Sequence, residues 1–271
     1  MEFVGKHNPK IKEALALKRS RSRKGALFLV EGIREIEKAL LANYECLHIF
    51  CGSKIPQRED FFFQNLQNSS IELLFCLEET LSQLSYKEHC GNFIAVMKKK
   101  WWSQGAFLKK QSNPEPFYLI IEQVEKPGNV GAVLRIADSA GADGVILCDP
   151  KVNLYNPNIL RASLGAVFTL PVLCLSLHDV VKLLEQEGWR VFVTSPSTDR
   201  VYFEENFQGP IALVFGSEKD GLSASWFTGN FLKIRLPMLG EVDSLNLSTA
   251  VAAVAYEVVR QRWSVKNATV L

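Results

Sequence analysis

Three loops in the second half of the sequence hold glycines beside side chains that can do chemistry. Each follows an apolar run that reads as a strand. The first, Lys126-Pro-Gly-Asn-Val-Gly131, comes after FYLIIEQV and opens a helix, whose free amino-terminal N–H groups suit an anion or an oxygen. Gly128 and Gly131 admit close backbone approach. Arg135, about one and a half turns along, offers a planar fork for a phosphate or carboxylate. Read alone, the same residues also describe a tight βα turn with a surface arginine. The second loop, Gly216-Ser-Glu-Lys-Asp-Gly221, follows IALVF and sets Glu218 between glycines; by itself it is also a charged turn. The third, Leu236-Pro-Met-Leu-Gly-Glu-Val-Asp-Ser-Leu-Asn246, leads into the last helix, for which Asn246 or Ser248 is a candidate N-cap. Open parallel sheets bind ligands in the loops after their strands, so three such loops together point to a site. The first lacks the Gly-x-Gly-x-x-Gly spacing of dinucleotide folds. In the second, Gly221 is followed by Leu222-Ser223, so no phosphate-binding P-loop forms.

The elements that must position these loops alternate. After the first loop a helix is expected from about Val130 to Ala140, then the strand DGVILCD. An irregular stretch NLYNPNILRASLGAVFTLPV follows, then a helix over 178–187 and the strands WRVFVTS, IALVF and LKIRLPM. The last helix runs from about Leu247 to Arg262, with Leu247, Val251, Val254, Ala255 and Val258 on one face. This is an α/β pattern with a mostly parallel sheet. The front of the chain reads as a basic helical stretch, the strand ALFLVEG, the helix IREIEKALLAN and further strands CLHIFC, IELLFC and NFIAVMK. The expected boundaries are a small α/β domain over 1–105, a linker over 106–115 and a larger domain over 116–271.

The chain has 271 residues, 47% apolar and 22% charged, ample for a core and unlike disordered or fibrous sequences. A net charge of +2 hides an asymmetry: residues 1–105 hold 16 basic and 12 acidic side chains, residues 106–271 hold 15 and 17. Lys18, Arg19, Arg21, Arg23 and Lys24 form a cluster that could meet an anion and neutralise phosphates, as could Lys98–Lys100. Trp101 and Trp102 could stack on unpaired bases or pack within the protein. No signal-peptide stretch opens the sequence, and the longest uncharged run, Ala162–Leu177, is shorter than the ~20 residues of a membrane span. A soluble, cytoplasmic protein is expected. The six cysteines form no Cys-x-x-Cys pair and read as buried free thiols of a reducing compartment. His48 and Cys51 lack a second ligand pair, so no metal is assigned.

In order, KPGNVGAVLRIADSAGADGVIL (126–147), LVFGSEKDGLS (213–223) and IRLPMLGEVDSLNLSTAVAAVAYE (234–257) resemble the three motifs of the SpoU (TrmH-like) class of SPOUT RNA 2′-O-ribose methyltransferases. The front half, with FLVEGIREIEKAL, resembles a small L30e-like RNA-binding domain. The resemblance implies a carboxyl-terminal domain with a deep trefoil knot, S-adenosylmethionine as cofactor and a homodimer. Carried over by position, Thr194, Gly216, Leu236, Met238 and Leu245 would contact the cofactor. Asn129, Arg135, Glu218, Ser244 and Asn246 would form the catalytic and RNA-positioning set, with Arg135 as a base or as an electrostatic stabiliser. Arg161, in NPNILRASLGA, would be a second phosphate- or ribose-contacting arginine. Asp243 departs from the smaller or amide side chain common before Ser244. The expected activity is methylation of a ribose 2′-hydroxyl in large-subunit (23S) ribosomal RNA. The alternatives are a tRNA ribose methyltransferase or a non-catalytic RNA-binding or ribosome-assembly protein of the same fold.

Overall fold

A computed structural model describes residues 3–19, 25–88, 90–109 and 113–268, with side chains as far as Trp263. The chain forms two compact units, Met1–Lys100 and Trp101–Leu271.

The first unit runs α1 (Pro9–Arg19), β1 (Leu27–Glu31), α2 (Ile33–Leu41), β2 (Cys46–Gly52), α3 (Asp60–Gln67), β3 (Glu72–Cys76), α4 (Glu78–Leu84) and β4 (Phe93–Lys98). Its four-stranded sheet has the order β1-β4-β2-β3. Only β2 and β3 are parallel, with β4 antiparallel to both β1 and β2. Ile11 and Ala14 of α1 and Leu81 and Leu84 of α4 bury against Leu29, Phe50, Ile94 and Val96 of the sheet. Sequence reading leaves α3 and α4 unassigned, because each is too short for a clear period. His48 and Cys51 sit three apart on β2 and so point to opposite faces.

The second unit contains α5 (Gln104–Lys109), β5 (Phe117–Glu122), α6 (Pro127–Ser139), β6 (Gly144–Cys148), α7 (Pro157–Ala162), α8 (Ala166–Thr169), β7 (Val172–Leu175), α9 (Leu177–Glu187), β8 (Arg190–Thr194), β9 (Ile211–Phe215), β10 (Leu232–Ile234) and α10 (Leu247–Ala268). Its six strands have the order β10-β8-β9-β5-β6-β7, and every pairing is parallel. The inner strands β5, β6 and β9 are buried along their whole length, as expected of parallel strands covered on both faces. Edge strand β7 exposes Cys174, against the expectation of a buried thiol. Cys51, Cys76 and Cys148 are buried.

Local chemistry sets several boundaries. Pro127 at the first turn starts α6 three residues earlier than expected, because a proline there has its φ set for a helix and needs no N–H partner. In the stretch read as irregular, Asn156 caps α7 by accepting from the Asn158 N–H at 2.9 Å, with Pro157 behind it. Leu164 and Gly165 then take left-handed φ angles and break the chain into α8. Ser176 caps α9, and Gly188 ends it at φ +65°. The expected strand LKIRLPM shrinks to Leu232–Ile234, since only these residues pair with β8.

Residues 101–109 fold with the second unit. Trp102 and Leu108 pack on its core, and Phe107 is buried beside Tyr118, which stacks on Trp189 at 4.3 Å. Arg262 of α10 donates to the backbone oxygens of Glu115 at 2.6 Å, Gly209 at 2.7 Å and Phe207 at 3.2 Å. It thereby ties α10 to the segments entering β5 and β9. Arg262→Ala should cost roughly 3 kcal/mol of stability, since bonds to a charged donor contribute about 1.5–3 kcal/mol each and are not additive. Arg262→Lys should recover little, because an ammonium cannot span three divergent carbonyls. Urea unfolding of the three proteins checks both expectations.

Candidate active site

In the second unit all six strands run the same way, so the loops after β5, β9 and β10 and the end of β8 emerge at one edge of the sheet. Those four strands are adjacent in the order β10-β8-β9-β5. The loop after β5 (loop one) thus lies beside the loop after β9 (loop two). The loop after β10 (loop three) returns through α10, which packs against α6.

Side chains join the three loops in one relay. Asn129 at the start of α6 donates through Nδ2 to Glu218 Oε1 of loop two. Its Oδ1 accepts from Asn246 Nδ2 of loop three at 3.4 Å. Asn246 Oδ1 accepts from the Ser248 N–H at 3.0 Å and from Ser248 Oγ at 2.8 Å. Asn246 is therefore the N-cap of α10 and a member of the site at once, so the two readings of that residue are not exclusive.

Loop two closes on itself. Ser217 and Gly221 exchange backbone bonds of 3.0 and 3.1 Å. A Cβ on Gly216 would come within 2.2 Å of Gly221 C and 2.4 Å of Leu222 N, so only glycine fits. The turn thus presents backbone to whatever sits at the strand end. Beside it, Thr194 at the end of β8 donates to Val214 O at 3.0 Å. Leu236 and Met238 of loop three are half-buried, while Leu239, Val242, Asp243, Ser244 and Leu245 are exposed.

Gly131 serves another purpose than expected. A Cβ there would lie 2.5 Å from Ala162 Cβ and 2.9 Å from Ile159 O. The bare backbone lets α7 pack on α6. Gly128 has open space around it.

The structure brings Asn129, Glu218 and Asn246 together and leaves the arginines apart from the relay. Arg135 is exposed on α6, six residues past Asn129, hence on a different helical face. Among the described residues it takes part in no ion pair. Arg161 is exposed on α7 and donates to Asn158 Oδ1 at 3.2 Å. Lys18 is engaged within its own unit: Nζ donates to Gln83 O at 2.6 Å and to Ser85 O, at the carboxyl end of α4, and lies over the Tyr86 ring. Arg19 ends α1, and Arg21, Arg23 and Lys24 lie outside the described residues. Lys98 pairs with Glu45 at 2.6 Å, and Lys100 donates to Ala42 O. Trp101 meets Tyr155 edge to face at 5.3 Å.

Sequence reasoning misses two residues. Glu122, the last residue of β5, is 1% exposed. Its carboxylate accepts from the Ser223 N–H at 2.8 Å and from Ser223 Oγ at 2.7 Å. The signal was a single charge closing an otherwise apolar strand, FYLIIE. Glu125, exposed on loop one, is held below the usual carboxylate range by the hydrogen bond from Lys151 and by its charge, with Lys219 and Lys126 adding to it. Burial pushes the Cys148 thiol up to about 12, with the Glu122 and Asp149 charges adding to the rise. That thiol keeps its proton at neutral pH and is no nucleophile. Among the described residues no group of three or more His, Cys, Asp or Glu could hold a metal, and no helix is long and apolar enough to cross a membrane.

Residues 116–256 match the SpoU rRNA Methylase family, and residues 8–95 match the MRM3-like substrate binding domain. A crystal structure of an RNA 2′-O ribose methyltransferase is 34% identical with a TM-score of 0.81, covering 97% of this chain and 100% of the other. The SpoU methyltransferase AviRb from Streptomyces viridochromogenes, in complex with the cofactor AdoMet, is 26% identical with a TM-score of 0.82, covering 95% and 99%. A 23S rRNA (uridine(2479)-2′-O)-methyltransferase of the same organism is 33% identical over 157 residues, 56% of this chain and 55% of that protein.

Proposed function

Because the chain belongs to the SpoU rRNA methylase family, we propose that it methylates a ribose 2′-hydroxyl of 23S ribosomal RNA, with S-adenosylmethionine as the methyl donor. The observation that carries this reading is the Glu218–Asn129–Asn246 relay, which fastens three loops around one strand edge.

When bound, the donor supplies a sulfonium methyl, which reacts with any well-aligned oxygen and carries the hard part of the chemistry. The backbone of Gly216, Leu236 and Leu245, with Thr194 and Met238, would hold it. Asn129, oriented from both sides by Glu218 and Asn246, fixes the ribose. Held there, the 2′-hydroxyl would face the donor's methyl group, and its proton would pass to a neighbouring RNA phosphate or to water. Arg135 keeps its own proton at neutral pH, so its work is electrostatic: it grips the phosphate and stabilises the charge growing on the oxygen. Ser244 holds loop three in place, and Arg161 takes a second phosphate. The enzyme works in the cytoplasm as a homodimer through the second unit. Support comes from exposed apolar side chains on loop three and α10: Leu239, Val242, Tyr256 and Trp263. Tyr256 and Trp263, seven residues apart, share a helix face.

The first unit docks the transcript. Neutralising Arg19, Arg21, Arg23 and Lys24 together should lower the slope of log affinity against log salt by about 3, at roughly 0.7–0.9 for each phosphate no longer neutralised. Filter binding across a salt series reads it.

The decisive test is incubation of the purified protein with labelled S-adenosylmethionine and either 23S rRNA or tRNA. Label should enter rRNA and survive in alkali-resistant dinucleotides, because a methylated 2′-oxygen cannot attack the adjacent phosphate. Label on tRNA alone overturns the substrate assignment. No label on either, with donor and RNA both bound, leaves a non-catalytic RNA-binding protein.

A further inference from the structure

Loops one and two are tied at two points, and the ties run in opposite directions. Near the middle of loop two, Glu218 offers a carboxylate to Asn129 of loop one. At the exit of loop two, Ser223 gives both its N–H and its hydroxyl to the carboxylate of Glu122, where loop one begins. We propose that Glu122 and Ser223 form a positioning latch that holds loop two in the conformation able to receive the methyl donor. The proposal deepens the methyl-transfer reading above and rests on it for the identity of that donor.

The five residues before Glu122 on β5 are apolar and buried, and Glu122 is buried with them. Packing alone would favour another apolar side chain here, since a buried carboxylate is costly unless satisfied. Among the described residues no ion pair includes Glu122. Its two oxygens are satisfied by the two donors of one residue, in charge-assisted bonds of the strong kind. Between entrance and exit, the Ser217–Gly221 backbone pair makes loop two a stiff turn. Such a turn moves as a body. It is pinned at its entrance by β9 and at its exit by Glu122, and Glu218 lies between the two. Releasing the exit therefore misplaces Glu218 and the Gly216 backbone together. Glu122 is too buried to touch a substrate, so it acts through the loop and is not itself a catalytic residue.

Three variants test the latch. Ser223→Ala removes the hydroxyl donor and should weaken S-adenosylmethionine binding about tenfold in calorimetry, the low end for a bond to a charged group. Its KM for the donor should rise more than its kcat falls. Ser223→Thr keeps the hydroxyl and should restore affinity to within about twofold. Glu122→Gln should weaken binding about as much as Ser223→Ala, and the double variant should be little worse than either alone, the mark of coupled partners. Hydrogen exchange at the amides of 217–222 supplies a readout independent of the ligand: Ser223→Ala should speed exchange there and Ser223→Thr should not. Affinity and exchange both unchanged in Ser223→Ala overturn the latch. So does a fall in melting temperature without any change in affinity, KM or loop exchange. If the unaltered protein takes up no S-adenosylmethionine, the functional reading fails. In that case faster loop exchange in Ser223→Ala still upholds the latch, and unchanged exchange overturns it.

Discussion

The Gly216→Ala protein should bind S-adenosylmethionine at least about a hundredfold more weakly than the unaltered chain while remaining folded. The added Cβ would stand 2.2 Å from Gly221 C, 2.4 Å from Gly221 O and 2.4 Å from Leu222 N. All three are backbone atoms of the same tight turn, so no side chain can rotate away to make room. The turn must open, and the Ser217–Gly221 bonds break with it. Overpacking of this kind costs roughly 1–3 kcal/mol or more, and about 2.7 kcal/mol corresponds to a hundredfold in affinity. The strain falls on a loop beyond the end of β9, whose own residues are buried and paired on both sides. Circular dichroism should therefore look unchanged while calorimetry records the loss. Full affinity in this variant would show that the loop-two backbone is not the donor's cradle.

Arg135→Ala should lower the rate of methyl transfer by about 10²–10³ with donor affinity and melting temperature unchanged. The argument for a clean effect is structural. Arg135 is exposed and has no ion pair among the described residues, so truncation breaks no salt bridge among them. Exposed substitutions of that sort typically shift stability by within about 0.5 kcal/mol. On the mechanism proposed above, the loss of the guanidinium should appear only when RNA is bound and charge grows on the ribose oxygen. Arg135→Lys keeps the charge but loses the planar fork, and should recover only part of the rate. Single-turnover assays with saturating donor separate this loss from any change in binding. A near-normal rate in Arg135→Ala would remove this residue from the mechanism.

The relay was visible in the sequence as three polar, glycine-bearing loops, but its wiring was not. Spacing put Asn129 at a helix start and Asn246 before another, and offered capping as a rival to catalysis for the latter. Only the folded chain, across a separation of 117 residues, lets Asn246 cap α10 through Oδ1 and reach Asn129 through Nδ2. Gly131 shows the opposite outcome. Its place in a loop–helix motif suggested ligand approach, whereas its neighbour is α7, the next helix along the chain. Lys18 looked like a phosphate contact by composition, and in the fold it closes the carboxyl end of α4. The short segments α7, α8 and β7 escaped because each spans under two helical turns or a single edge strand, too few residues for a period to show.

By itself the sequence determined the longer elements, the direction of the central strands and the three loops at their ends. Those follow from hydrophobic period, capping residues and the run of buried β5, β6 and β9, all short-range properties of the chain. Tertiary structure alone decided which polar side chains meet, which glycines are required for space, and that Glu122, hidden in an apolar strand, grips Ser223 at a separation of 101 residues. Those outcomes depend on strand order, and strand order is set by packing between segments that no local pattern relates.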